Sequence, residues 1–223
     1  MGIQAIIFDM DGLMIDSERL YFQTEREIAA IFQKPVKEQI LWKMMGRKPI
    51  ESMEIFVREL HIPQSAEKIL ELRDRRMKEK LETDLVPMPG LFEIIHFFSK
   101  RLKLAISTGA EKKFLDIVLN SLGIRDEFSV LQTSDDIKYG KPEPETYLKT
   151  CEKLGLDPAN CVVLEDSSNG VKAGKKAGCY VIAVPSEYTR DQDFSLADFI
   201  AGNLLIAKKH INSLIKKIKK PEI

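Results

Sequence analysis

The stretch Ala5-Ile6-Ile7-Phe8-Asp9-Met10-Asp11-Gly12 decides how the chain is read. An unbroken apolar run stops abruptly at a carboxylate. A second carboxylate follows two positions later, then a glycine. A strand buried on both faces of a parallel sheet reads as a continuous apolar run, not as an alternation. In open α/β sheets, ligands gather just beyond the carboxyl ends of the strands. The pattern therefore predicts a buried strand ending at Asp9, with Asp9 and Asp11 held together at the rim. Gly12 permits the φ values that a tight turn needs. Taken alone, the stretch reads equally well as a strand end followed by an ordinary Asp-Gly turn.

Working outward, the next segment changes character. From Ser17 to about residue 82 the apolar residues recur at helical spacing, over 20–32, 36–45, 50–60 and 66–81, with breaks at Lys34-Pro35, Gly46–Pro49 and His61–Gln64. No strand-like alternation interrupts them, which predicts a small helical bundle. Pro87, Pro89 and Gly90 mark the return to the first unit. Short apolar runs then alternate with helical segments: strands over 102–106, 128–131, 161–164 and 180–184, and helices over 91–100, 111–122, 144–154 and 167–177. An amphipathic helix over 204–219 with a basic end closes the chain. This alternation predicts a mostly parallel sheet covered on both faces. The expected fold class is α/β, with residues 1–16 and 86–223 forming the sheet domain and 17–85 an all-α insert.

The chain has 223 residues, enough for one large domain or one domain with an insert. Hydrophobic residues make up 44% and charged residues 30%, the balance of an ordinary globular protein. Basic and acidic residues both number 34, so no global charge favours nucleic acid or an anionic membrane. No apolar run approaches the ~18 residues of a membrane span. Since the first strand follows the N-terminus directly, the reading is a cytoplasmic protein without a cleavable signal, and a monomer. Cys151, Cys161 and Cys179 match no metal-binding spacing, and Cys161 and Cys179, each ahead of an apolar run, are expected as buried small hydrophobes. His61, His96 and His210 are scattered and suggest no zinc site.

Three further strand ends carry polar residues. Ser107-Thr108-Gly109 offers a hydroxyl and backbone N–H groups near a helix start, which suits a phosphate oxygen or simple N-capping. Gly140-Lys141-Pro142-Glu143-Pro144 fixes the backbone around one lysine, a compact cation for a phosphate or carboxylate, or merely a surface turn. Glu165-Asp166-Ser167 adds two carboxylates, unless Asp166 or Ser167 only caps the next helix. Two like charges ~4 Å apart cost ~1 kcal/mol in water and several times that near a protein surface. Carboxylates gathered at one rim therefore call for a cation. Mg²⁺ suits them, since it takes oxygen ligands from one or two carboxylates and a substrate phosphate.

Taken together, Asp9-Met10-Asp11-Gly12, Ser107, Gly140-Lys141-Pro142-Glu143-Pro144 and Glu165-Asp166-Ser167-Ser168-Asn169-Gly170 resemble the four motifs of the haloacid dehalogenase superfamily. Order and spacing agree over essentially the whole chain, and the helical insert resembles that family's type 1 cap. The similarity is to the β-phosphoglucomutase-like branch, which includes pseudouridine-5′-phosphatase. The resemblance implies a Rossmann-like core and a phosphatase acting on a small phosphorylated molecule, a sugar phosphate or a nucleoside monophosphate. It implies Asp9 as nucleophile, Asp11 as general acid–base, and Ser107 with Lys141 on the transferring phosphoryl group. It also implies Mg²⁺ on Asp9, the Asp11 carbonyl, Asp166 and, directly or through water, Glu165. Substrate choice is expected from the cap, where Gly46 and Arg47 at a helix break either close over a substrate or form a plain solvated turn. Mutases of this branch carry a histidine where this chain has Tyr21, and a lysine or arginine near Gly109-Ala110-Glu111. Both departures favour a phosphatase over a mutase. A catalytically idle ligand-binding relative is the third reading.

Overall fold

A computed structural model describes residues 2–45, 47 and 49–219. The chain divides into two compact units, Met1–Asp16 with Val86–Ile223, and Ser17–Leu85. The order of elements begins with β1 (Ala5–Phe8). The helical unit follows as α1 (Ser17–Ile31), α2 (Glu38–Met44), α3 (Pro49–Leu60) and α4 (Ala66–Thr83). The chain then runs α5 (Leu91–Phe98), β2 (Lys103–Ser107), α6 (Lys112–Leu122), β3 (Val130–Gln132) and α7 (Glu145–Leu154). It closes with β4 (Cys161–Glu165), α8 (Ser168–Ala177), β5 (Tyr180–Ala183), β6 (Phe199–Ile200) and α9 (Leu204–Lys219).

The six strands form one parallel sheet in the order β3-β2-β1-β4-β5-β6. This is the doubly wound order of a Rossmann-like sheet, whose direction of progression reverses at β1. Every residue of β1 and β4 is buried, which explains their continuous apolar sequences. Burying a side chain such as Ile6, Ile7 or Phe8 contributes roughly 1.5–3 kcal/mol. The strand that leads into Asp9 is thus among the best anchored parts of the sheet unit. Phe8 pairs with Ile106 on one side and Leu164 on the other. The following residues, Asp9, Ser107 and Glu165, therefore come level across three adjacent strand ends.

Several boundaries differ from the sequence reading. Helix α1 begins at Ser17, the expected start of the insert, and stops at Ile31, ahead of Gln33, whose φ of 56° breaks the helical repeat before Pro35. Strand β3 begins at Val130, because Phe128 closes a 3₁₀ turn and packs its ring edge-on against Phe8 at 5.8 Å. Strand β6 was not expected at all. Its two residues make too short a run to stand out, yet they pair with Ile182 and Ala183 of β5. All three cysteines are buried as free thiols. No helix among the described residues is long and apolar enough to cross a membrane.

In the helical unit, Leu20, Ile28, Met53, Phe56, Ile69 and Met77 are buried at the spacing expected of amphipathic helices. Glu25 and Arg73 are buried among them.

Candidate active site

The turn after β1 is built by short-range hydrogen bonds. Met14 and Ile15 N–H donate to the Met10 carbonyl, and Gly12 N–H donates to the Ile15 carbonyl. Gly12 sits at φ 72°, which a side chain would resist. Asp9 N–H donates to the Leu164 carbonyl at 3.0 Å, extending the β1–β4 ladder by one residue. Asp9 is buried at the point where the sheet order reverses, the crevice that such sheets use for ligands.

Lys141 occupies the loop before α7, and its ammonium lies between two carboxylates. Nζ donates to Asp9 Oδ1 and to Glu165 Oε1, each at 2.5 Å, and to the Ser107 carbonyl at 3.4 Å. Burial works against the charged lysine, but the Asp9 and Glu165 carboxylates outweigh it and hold the group well above its ordinary range. Burial pushes the Asp9 carboxyl up. Lys141 offsets part of that, while Glu165 and Asp11 add to it. The lysine on the rigid Pro142–Pro144 platform is thus a member of the site, not a surface turn.

Glu165 is fully buried at the end of β4. Oε1 accepts from Lys141 and from the Tyr147 hydroxyl at 2.6 Å, and Oε2 accepts from the Ser167 N–H at 3.1 Å and hydroxyl at 3.0 Å. Four donors fill the accepting capacity of a carboxylate. The close approach of α8 requires Gly170, where an added Cβ would stand 1.8 Å from the Glu165 carboxylate. Burial and the Glu165 carboxylate raise the Tyr147 phenol well above its usual range, so it keeps its proton and donates.

Asp166 follows in chain and is also buried, with Thr189 Oγ1 donating to its Oδ2 at 3.4 Å. Ser167, not Asp166, caps α8, accepting from Gly170 N–H at 3.1 Å. Asp9, Glu165 and Asp166 each present an oxygen such that all three lie within 4.8 Å of one another. Ionised together, three buried carboxylates facing one ammonium would leave an excess of two negative charges. A divalent cation would offset that excess with the oxygen ligands such ions take.

On the β2 side, the Ser107 and Thr146 hydroxyls share a hydrogen bond at 2.7 Å. Ser107 therefore does not cap α6, which begins at Lys112 instead of residue 111 and has Glu111 at its N-cap without a side-chain bond. Thr108 Oγ1 accepts from Ala110 N–H at 3.0 Å and lies 3.5 Å from Asp11 Oδ2. Gly109 is exposed, and among the described residues nothing lies within 4 Å of an added Cβ.

The structure thus brings Asp9, Asp11, Ser107, Thr108, Lys141, Glu165 and Asp166 to one sheet edge. Arg47 belongs to the helical unit, between α2 and α3, where its Nε donates to the Lys43 carbonyl at 2.7 Å. Gly46 lies outside the described residues. The sequence reading missed Thr146, Tyr147 and Thr189. The first two sit five and six residues past Lys141, in the first turn of α7, where a hydroxyl on an otherwise buried helix face was the available signal.

Comparison with known proteins places this geometry. A family model described as haloacid dehalogenase-like hydrolase matches residues 6–184. The phosphorylated carbohydrates phosphatase of Thermotoga maritima is 37% identical over 177 residues, covering 79% of this chain and 82% of that protein. Hexitol phosphatase B of Escherichia coli K12 is 32% identical over 206 residues, covering 91% and 93%. The crystal structure of CbbY from Rhodobacter sphaeroides in complex with phosphate superposes with a TM-score of 0.80 at 26% identity, covering 91% of this chain and 95% of that one. With its motifs gathered at the reversal point of a Rossmann-like sheet, the chain belongs to the haloacid dehalogenase-like hydrolases.

Proposed function

We propose that this chain is a Mg²⁺-dependent phosphomonoesterase that works through an aspartyl-phosphate at Asp9. The observation that carries the reading is the Lys141 ammonium bridging Asp9 and Glu165, with Asp166 alongside, at the sheet's ligand-binding edge. Asp9 attacks phosphorus while the ester P–O bond breaks, and Asp11 gives its proton to the departing alcohol. Asp11 then takes a proton from water, whose oxygen attacks phosphorus and releases inorganic phosphate and free Asp9. Lys141 fixes the nucleophile and faces the anionic phosphoryl group, with Ser107, Thr108 and Gly109 contributing beside it.

Asp9, Asp166 and the Asp11 carbonyl would hold Mg²⁺. Glu165 would contribute through its charge, and through water where the ion displaced one of its four donors. When bound, the ion offsets the repulsion between an anionic nucleophile and an anionic ester. The relatives named for phosphorylated carbohydrates and hexitols favour a phosphorylated sugar or polyol over a nucleoside monophosphate. We assign choice among such substrates to the helical unit, with Arg47 as its candidate phosphate- or hydroxyl-binding residue.

The test is phosphate release from sugar phosphates, polyol phosphates and nucleoside monophosphates, with and without Mg²⁺, by wild type and Asp9→Asn. Turnover that needs Mg²⁺ and drops at least about 10³-fold in Asp9→Asn is expected. Equal activity of the two proteins refutes Asp9 as nucleophile. Conversion of β-glucose 1-phosphate to the 6-phosphate without phosphate release replaces the phosphatase with a mutase. Tight ligand binding without turnover replaces it with an idle relative.

A further inference from the structure

We infer that Tyr147 is a positioning residue for the nucleophile, acting through Glu165 and Lys141. This rests on the reading of Asp9 as the phosphoryl acceptor.

Three observations carry it. Tyr147 is fully buried, and its hydroxyl donates to Glu165 Oε1 at 2.6 Å. The same oxygen accepts Lys141 Nζ at 2.5 Å, so the phenol and the ammonium share one acceptor. The Lys141 ammonium also lies 5.2 Å from the centroid of the Tyr147 ring, a cation–π distance. One side chain therefore touches both partners of the pair that holds Asp9.

The consequence follows from competition for a single ammonium. Asp9 Oδ1 and Glu165 Oε1 are both buried acceptors of the same Nζ. A buried carboxylate oxygen short of a donor is costly and draws on whatever donor is near. With the phenol in place, Oε1 has a second donor beside the ammonium, and Nζ stays centred between Oε1 and Asp9 Oδ1, 2.5 Å from each. With the phenol removed, Oε1 pulls the ammonium toward itself and away from the nucleophile. Thr146, the preceding residue, binds the Ser107 hydroxyl at 2.7 Å, so the first turn of α7 secures both flanks of the site.

The experiment compares wild type, Tyr147→Phe, Glu165→Gln and the double variant, with p-nitrophenyl phosphate and Mg²⁺ at 25 °C. Thermal melts and an Asp9→Asn reference accompany the kinetics. Tyr147→Phe keeps the ring and loses only the donor. Its kcat is expected to fall by about tenfold with KM within about twofold, the scale of one hydrogen bond to a charged group. In the Glu165→Gln background the same change is expected to have little further effect, because the acceptor through which it acts is altered. Tyr147 replaced by 4-aminophenylalanine, which carries an N–H donor at the same place, is expected to recover most of kcat. An unchanged kcat in Tyr147→Phe, full additivity with Glu165→Gln, or no recovery with the amino analogue overturns the inference. Failure of Tyr147→Phe to fold also overturns it, by making the hydroxyl a stability element. Wild-type turnover that survives Asp9→Asn refutes the parent reading instead, and the two failures are told apart by that reference.

Discussion

Replacing Glu25 by Gln separates burial from charge in the helical unit. Glu25 is 4% exposed, and its Oε2 has no hydrogen-bond partner among the described residues. Burial pushes its carboxyl from 4.5 up to about 8, while Arg73 and Arg26 pull the other way without prevailing. A folded-state value above the unfolded one means that the folded unit prefers the protonated acid. The stabilisation is complete below 4.5 and is lost as pH rises toward about 8. Each pH unit across that window costs about 1.4 kcal/mol, so the wild type gives up about 3 kcal/mol by about pH 7. Glutamine stays neutral and gives up nothing from this position. Arg73 retains Asp74 at 3.1 Å and the Tyr21 ring at 5.4 Å, so it is not stranded by the change. The assay is Trp42 fluorescence during thermal melts, because the chain's single tryptophan lies in α2 and reports the helical unit alone. The two proteins should melt together near about pH 4, and at about pH 7 Glu25→Gln should melt more than about 10 °C higher, the shift for 3 kcal/mol in a unit of this size. A gap that does not grow with pH, or a variant less stable than wild type at neutral pH, refutes the reasoning.

The remaining expectations concern the site. Lys141→Met leaves two buried carboxylates without their ammonium. It should destabilise the sheet unit by about 3–5 kcal/mol without Mg²⁺ and by less with it, and should abolish turnover. Melts with and without the ion check this, and an unmoved melting temperature with retained activity counts against the pairing. Gly170→Ala should displace the Glu165 carboxylate, lowering kcat about tenfold while overpacking costs only about 1–3 kcal/mol of stability. Normal kinetics in that variant would mean that Glu165's position does not matter. Arg47→Ala should raise KM about tenfold with kcat kept, and an unchanged KM removes Arg47 from substrate binding.

The sheet was legible because its buried strands are written as plain apolar runs, and Asp9, Ser107 and Glu165 interrupt those runs where the rim begins. Their common register could not be read from spacing alone. It follows from Phe8 pairing with both Ile106 and Leu164, a long-range fact. Strand β6 escaped notice because two residues carry no period. Tyr147 was invisible as a site residue for a different reason. A tyrosine on a buried helix face reads as packing, and only the 2.6 Å contact with Glu165 distinguishes it. Ser107 reads from the sequence as a phosphate ligand or a cap, and its hydroxyl's bond to Thr146 sets the cap aside. Glu25 had a readable signal, standing three residues before Ile28 and four before Ala29 on a buried stripe, but a sequence does not reveal whether such an acid finds a full set of partners.

The central claim is that Asp9 takes up phosphorus. Quenching the enzyme during turnover of a phosphorylated sugar with Mg²⁺, reducing with borohydride and sequencing by mass spectrometry tests it directly, since an acyl phosphate at Asp9 is reduced to homoserine. Homoserine at position 9 that appears only with substrate and Mg²⁺ is the expected result. An unmodified Asp9 in a sample that is demonstrably turning over, or the reduced residue found at Glu165 or Asp166 instead, contradicts the proposal.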